Sequence, residues 1–259
     1  FYQASVAGPF EQWPNGMGFE YFYGFVGGDT SQWTPNLFRN TTPIYPFEGN
    51  SKWNLTTAMA DEAIQYMKGL NEVAPDKPFF VYYVPGGVHA PHHPSKEWIK
   101  KISDMHLFND GWNKLRETIF ANQKKLGIVP QDTKLTAWPK ELPEWDSLDL
   151  EQKELFIKQA NVFAAYLAYT DHEIGRVIQA VEDMGELDNT LIVYISGDNG
   201  ASAEGMVNGT PNEFTTFNGI PVPVKDQFLW YEFWGSDRTF PHYSAAWAWA
   251  FDTPFKWMK

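Results

Sequence analysis

Residues 190–200 read TLIVYISGDNG, an apolar, β-branched run that ends in a carboxylate, a carboxamide and a glycine. Asp198 and Asn199 are hard oxygen donors of the kind that hold calcium or magnesium, and Gly200 permits a tight turn beside them. Leu191, Ile192, Val193, Tyr194 and Ile195 are expected to form a strand buried on both faces, as in a parallel sheet covered by helices. In open α/β sheets ligands gather beyond the carboxyl ends of the strands, where this pair would stand. Asp-Asn-Gly is equally a sequence that makes a plain turn, so the metal reading needs other support.

A second cluster of chemistry-bearing residues is PGGVHAPHHP at 85–94, which carries His89, His92 and His93. It follows PFFVYYV at 78–84, another apolar run of strand length. A zinc site is one reading, weakened by the lack of cysteine and of a His-Glu-x-x-His helix. A loop merely shaped by its prolines is another. The third places an imidazole beside a bound anion, where it gives a hydrogen bond or a proton to a leaving oxygen. Pro91 and Pro94 bracket the histidine pair and restrict its geometry.

The elements that must position these loops follow from hydrophobic spacing. Residues 57–70 predict a helix with Met59, Ala63, Met67 and Leu70 on one face. Residues 148–184 predict a long helix in which Phe156, Ala160, Phe163, Leu167, Ile174, Ile178 and Val181 recur every three to four positions, ended by Gly185. Helix followed by strand occurs twice, which points to an α/β fold with a mostly parallel central sheet flanked by helices. Residues 95–147 are more polar and broken by Gly127, Pro130, Pro139 and Pro143, an expected helical excursion from that sheet. Residues 1–56 predict aromatic-rich loop with one short strand within 19–26, and 201–249 are again loop-like. Trp247 and Trp249 are expected to pack rather than to recognise a ligand.

Composition bounds the function. Hydrophobic residues make up 43% of the chain, with 12 Trp, too much apolar surface for disorder. A formal net charge of −12 disfavours a nucleic-acid backbone, so an anionic substrate needs a local cluster of cations. The absence of cysteine excludes disulfides and thiolate sites within these residues. No apolar run is long enough for a transmembrane segment. Asn40, Asn54 and Asn208 each open an Asn-x-Ser/Thr triplet. The first and last residues read as internal to a longer polypeptide.

Three stretches together resemble the type I sulfatases, in particular the bacterial arylsulfatase branch of the alkaline phosphatase superfamily. They are PFFVYYVPGGVHAPHHP, YLAYTDHEIGRVIQAVEDMGELDNTLIVYISGDNG and PHYSAAWAWAFDTPFKWMK, and the opening GMGFEYFYGFVGGDTSQWTPNL is similar too. The resemblance implies a sulfuric ester hydrolase acting on a small-molecule or carbohydrate sulfate ester. It implies that Asp198 and Asn199 are two ligands of a calcium ion, and that His92 contacts the sulfate or its ester oxygen, with His93 in the aromatic position beside it. It also implies a sulfate-contacting lysine after the Trp-Ala-Trp-Ala region, Lys259 in preference to Lys256. His242 is a further candidate for substrate contact, and Asp29 and Thr30 could border the pocket. A periplasmic or secreted setting is what the resemblance suggests.

The departures bear on activity. Type I sulfatases use a formylglycine made within a Cys/Ser-x-Pro-x-Arg motif, and neither that motif nor the paired aspartates that complete the calcium shell occur here. The expectation is the middle of a catalytic domain, inactive alone. Two rivals stand beside it: a phosphate or phosphonate ester hydrolase of the same superfamily, and a noncatalytic module that stacks its Trp and Tyr on sugars or aromatic groups.

Overall fold

The computed structural model describes residues 4–197 and 199–259. Two helices form its frame. α1 (Leu55–Val73) begins at Asn54, whose side chain accepts from the Thr56 N–H. α4 (Leu150–Asp183) begins at Asp149, which forms a capping box with Gln152 and so satisfies donors that the first turn cannot. Thirty-four residues make α4 about 51 Å long at the usual helical rise. Gly185 stops it with a φ of 78°, a backbone state that favours glycine.

The two helices bury one another through Ala60 and Met67 against Val177, Ala180 and Val181. Polar ties reinforce the seam: Thr57 donates to Glu173 at 2.8 Å, and Arg176 reaches Asp61 at 2.6 Å. The predicted spans, 57–70 and 148–184, are recovered because their apolar spacing and end signals agree.

α2 (Lys96–Ser103) lies against α4, and α3 (Gly111–Lys125) against α7 (Ala245–Phe251). Between them sits the larger core, dominated by Trp112, Trp145, Trp234 and Trp247 with Leu155 and Phe156. Trp247 is wholly buried and donates its indole N–H to the Phe156 carbonyl at 2.8 Å, so it fills space without leaving a donor unmet. The stretch 95–147 supplies α2, α3 and several of these core residues, Ile102, Phe108, Trp112, Leu142 and Trp145. Residues 201–249, expected as loop, contain α5 (Glu213–Phe217), α6 (Val224–Gln227) and a 3-10 turn over Phe228–Phe233.

Among the described residues the sheet is antiparallel and small: β1 (Tyr23–Gly24), β2 (Leu37–Arg39) and β3 (Thr42–Ile44), with Tyr23 opposite Arg39 and Leu37 opposite Ile44. The expected parallel sheet is not formed among these residues. Residues 78–84 have no ladder partner; Phe79, Val81 and Tyr83 pack toward the α1–α4 seam, while Phe80 and Tyr82 are 78% and 72% exposed. The expectation that residues 191–195 are buried on both faces is corrected. Leu191 is 88% and Ile195 83% exposed, because no strand or helix of the described chain covers them.

Candidate functional site

Loop 85–94 can lie against α4 because of its glycines. A Cβ on Gly87 would collide with the Thr170 side chain, and one on Gly86 would come within 2.8 Å of Gln32 Nε2. His93 then anchors the loop. Its Nδ1 accepts the Gln32 N–H at 3.2 Å, and its Nε2 meets the Thr239 carbonyl at 2.8 Å. Its own carbonyl accepts from Asn54 Nδ2 at 3.0 Å. Such partners fix a neutral imidazole with hydrogen on Nε2, and burial pulls its pKa down to about 4. His93 is therefore a structural fastener, a role its place in the sequence did not reveal.

His92 is 2% exposed. Its ring stacks on Tyr243, 5.1 Å between centroids and 11° between planes, and lies 5.2 Å from both Phe163 and His242. Its Nδ1 is buried with no hydrogen-bond partner among the described residues. Burial first, then the neighbouring His242, His93 and His89, holds its pKa well below the usual histidine value. The imidazole is thus neutral at pH 7, a hydrogen-bond donor rather than a resident cation.

The loop that follows Asn199 closes on the same histidines. Gly200 sits against Asp252, and the Ala201 N–H reaches Asp252 Oδ1 at 3.4 Å. The Ala201 carbonyl accepts the Lys259 backbone N–H at 2.9 Å. Ser202 Oγ lies 3.0 Å from His242 Nε2, and His242 Nδ1 faces the Tyr243 carbonyl at 3.1 Å. Burial holds the His242 pKa down at about 4, and Lys259 is close enough to lower it further.

His92, His242 and Lys259 therefore converge with the segment just after Asn199. Asp198 itself lies outside the described residues. Lys256 and Lys259 are both exposed, and among the described residues it is the Lys259 backbone N–H that bonds this loop.

Other residues enter that sequence reasoning did not single out. Ser202 donates to Glu204 Oε2 at 2.9 Å, extending the contacts of His242 to an exposed carboxylate. Glu213 is fully buried, neither carboxylate oxygen has a partner among the described residues, and burial, then Asp29 and Glu204, raises its pKa to about 8. Neither has a spacing signal; each acts through contacts distant in sequence. An aromatic cavity of about 530 Å³ runs along Phe19, Tyr21, Tyr23 and Phe25 and reaches Asp29 and His89. Of the Asn-x-Ser/Thr positions, Asn54 is buried and bonded as the α1 cap, and Asn40 accepts the Phe22 N–H at 3.0 Å.

Among the described residues no group of three or more His, Asp or Glu is arranged to hold a metal ion. Calcium takes six to eight oxygen ligands, so the carboxamide of Asn199 is far from a shell by itself. The described side chains place instead a neutral His92 against His242, whose two nitrogens are engaged by Tyr243 and Ser202, with Lys259 nearby.

Comparison with known proteins decides the family: residues 2–233 match the Sulfatase family model. The chain belongs to the sulfatase family. It is 29% identical over 273 residues to an uncharacterized sulfatase of Schizosaccharomyces pombe, covering 96% of this chain and 46% of that protein. It is 27% identical over 208 residues to an arylsulfatase of Klebsiella aerogenes, covering 78% of this chain and 44% of that one. An N-acetylglucosamine-6-O-sulfatase of Bacteroides thetaiotaomicron is 31% identical over 110 residues, 40% of this chain and 19% of that protein. This sulfatase chain thus spans less than half the length of the curated relatives it matches.

Proposed function

We propose that this chain is the central part of a sulfatase catalytic domain, spanning residues 1–259, that in complete form cleaves sulfate esters as an arylsulfatase does. The observation that carries the reading is the meeting of loop 85–94 with the loop after Asn199 through His242, whose ring lies 5.2 Å from His92 and whose Nε2 is 3.0 Å from Ser202 Oγ, with Lys259 held to Ala201 by its backbone N–H. Lys259 would neutralise part of the sulfate charge against the acidic background of the chain. His92 would donate a hydrogen bond to a sulfate or ester oxygen. In a desolvated pocket such prearranged donors are worth several times what they are in water.

Asp198 and Asn199 would give two oxygen ligands to a calcium ion, which supplies positive charge at the sulfate oxygens. The remaining ligands, and the formylglycine nucleophile, have no counterpart among these residues, so the 259-residue chain alone is predicted to hydrolyse no aryl sulfate. In the same reading, residues 78–84 and 191–195 are strands of the mostly parallel sheet characteristic of the superfamily, and 95–147 is a helical excursion from it. Their one-sided or complete exposure supports this, since strands so apolar are stable only when covered. The substrate would be a small-molecule or carbohydrate sulfate ester, met in a periplasmic or secreted setting.

A phosphate or phosphonate ester hydrolase would use the same corner, and fold alone does not separate it. The aromatic cavity favours a second reading, a binding module that stacks on rings without calcium or anion contacts. Calorimetric titration of an aryl sulfate and an aryl phosphate, with and without calcium, tests the three. Sulfate preference that falls in Lys259→Ala supports the proposal, phosphate preference supports the first rival, and binding indifferent to Lys259, Asp198 and calcium supports the second.

A further inference from the structure

The hydrogen count around His242 does not close for a single protonation state. Nδ1 faces the Tyr243 carbonyl, which can only accept, so Nδ1 carries hydrogen. In the neutral imidazole Nε2 is then an acceptor and needs the hydroxyl hydrogen of Ser202, 3.0 Å away. That same hydrogen is the one Ser202 offers to Glu204 Oε2 at 2.9 Å, while Ser202 Oγ accepts the Glu204 N–H at 3.2 Å. One hydroxyl hydrogen serves His242 or Glu204, not both at once. When His242 is charged, its Nε2–H donates to Oγ and the hydroxyl is released to the carboxylate.

We propose that Ser202 and Glu204 form a proton relay that sets the charge of His242, and that His242, through its ring contact with His92, positions and tunes the imidazole assigned to the anion. The last clause rests on the sulfatase reading of His92; the relay itself does not. A proton taken up at the exposed Glu204 carboxylate leaves its oxygen for Ser202 Oγ while the serine's own hydrogen moves to Nε2. One O–H bond is broken and one made at each oxygen, and one N–H bond is gained. The imidazole is otherwise sealed: His242 is 1% exposed, and a Cβ on Gly205 would come within 2.8 Å of Nδ1. Glu204 is thus its route to solvent.

Among the described residues the charged groups facing His242 are Glu204, which favours its protonation, and His89 and Lys259, which oppose it. His92 lies against the same ring and is itself made harder to protonate by charge on His242. An anion seated at Lys259 would cancel the opposing charge and draw a proton in through the relay. Ser202, Glu204 and His242 are positioning residues in this account, since both nitrogens of His242 are already engaged within the protein.

The test is nitrogen NMR of the histidine-labelled 259-residue chain, comparing the unsubstituted protein with Ser202→Ala, Ser202→Thr and Glu204→Gln. The expected spectrum at pH 7 has His242 neutral with hydrogen on Nδ1, and an Nε2 resonance that moves in Ser202→Ala and is restored in Ser202→Thr. Toward acid, Ser202→Ala and Glu204→Gln both lower the His242 titration midpoint by about half a pH unit or more, Glu204→Gln by removing the nearby negative charge and Ser202→Ala by removing the hydroxyl that accepts from the charged imidazole. Hydrogen on Nε2 at pH 7, or an Nε2 resonance indifferent to Ser202→Ala, overturns the relay. The pH 7 readings hold even where acid unfolds a variant. Added inorganic sulfate forms a separate arm: a silent His92 and Lys259 there counts against the anion site and leaves the relay standing.

Discussion

His92 and Tyr243 stack with ring planes 11° apart, so the imidazole proposed to meet the anion is held in its orientation by a tyrosine ring. Tyr243 also packs edge-on against Phe163, 4.7 Å between centroids. Tyr243→Ala removes both supports and opens a cavity, with an expected loss of about 3–5 kcal/mol in denaturant unfolding. Tyr243→Phe keeps the stack and should stay within about 1.5 kcal/mol. Equal losses in the two variants would show that the hydroxyl, rather than ring packing, is what matters.

Two glycines separate close approach from helix propensity. A Cβ on Gly205 would land on the Tyr243 carbonyl oxygen, so Gly205→Ala is expected to destabilise the chain by more than about 2 kcal/mol and to disturb the His242 resonances. Gly69, inside α1, has nothing within 4 Å of the added atom. Gly69→Ala should stabilise by about 0.5–1 kcal/mol. Thermal melts of the pair check both signs.

Stability should depend on pH in two opposed ways. His93 and His242 have folded pKa values near 4 against 6.5 for the free side chain, so the unfolded chain binds protons first as pH falls. Stability from each is full above pH 6.5 and lost by pH 4, on the order of 3 kcal/mol apiece. Glu213, raised from 4.5 to about 8, acts in reverse: the folded state keeps its proton longer, and stability drains away as pH rises through that window. Glu213→Gln is therefore expected to flatten the decline between pH 6 and 8 while leaving the acid limb unchanged. Parallel melting curves for the two proteins across pH 6 to 8 would contradict the buried, protonated Glu213.

The frame was legible in the sequence because two independent signals coincided there. α1 and α4 show apolar residues every three to four positions, and Gly185 marks the end of α4; the caps at Asn54 and Asp149 set their starts two residues from those expected. Loop 85–94 and the Asp198–Asn199 pair stood out as candidates for chemistry from residue type alone. Less was readable where meaning comes from distant contacts. His93 resembles a ligand in sequence, yet it joins Gln32, Asn54 and Thr239. Ser202 and Glu204 look like ordinary loop residues and matter through His242, forty residues on. The run 191–195 has the composition of a covered strand, and composition cannot say which segment would cover it.

That uncovered run carries its own consequence. Five consecutive β-formers without a charge, at 41% to 88% exposure, are a template for intermolecular pairing. Val193→Lys should reduce concentration-dependent self-association of the purified chain, read by sedimentation velocity, with the melting temperature unchanged. A lowered melting temperature would show that Val193 is packed in solution.

The central claim is that His92 and Lys259 face one oxyanion site. Calorimetric titration of a slowly hydrolysed aryl sulfate into the 259-residue chain tests it most directly. Saturable one-to-one binding that weakens at least about tenfold, or 1.4 kcal/mol, in both His92→Ala and Lys259→Ala is the predicted result. Binding that is absent, or that survives both substitutions undiminished, would contradict it.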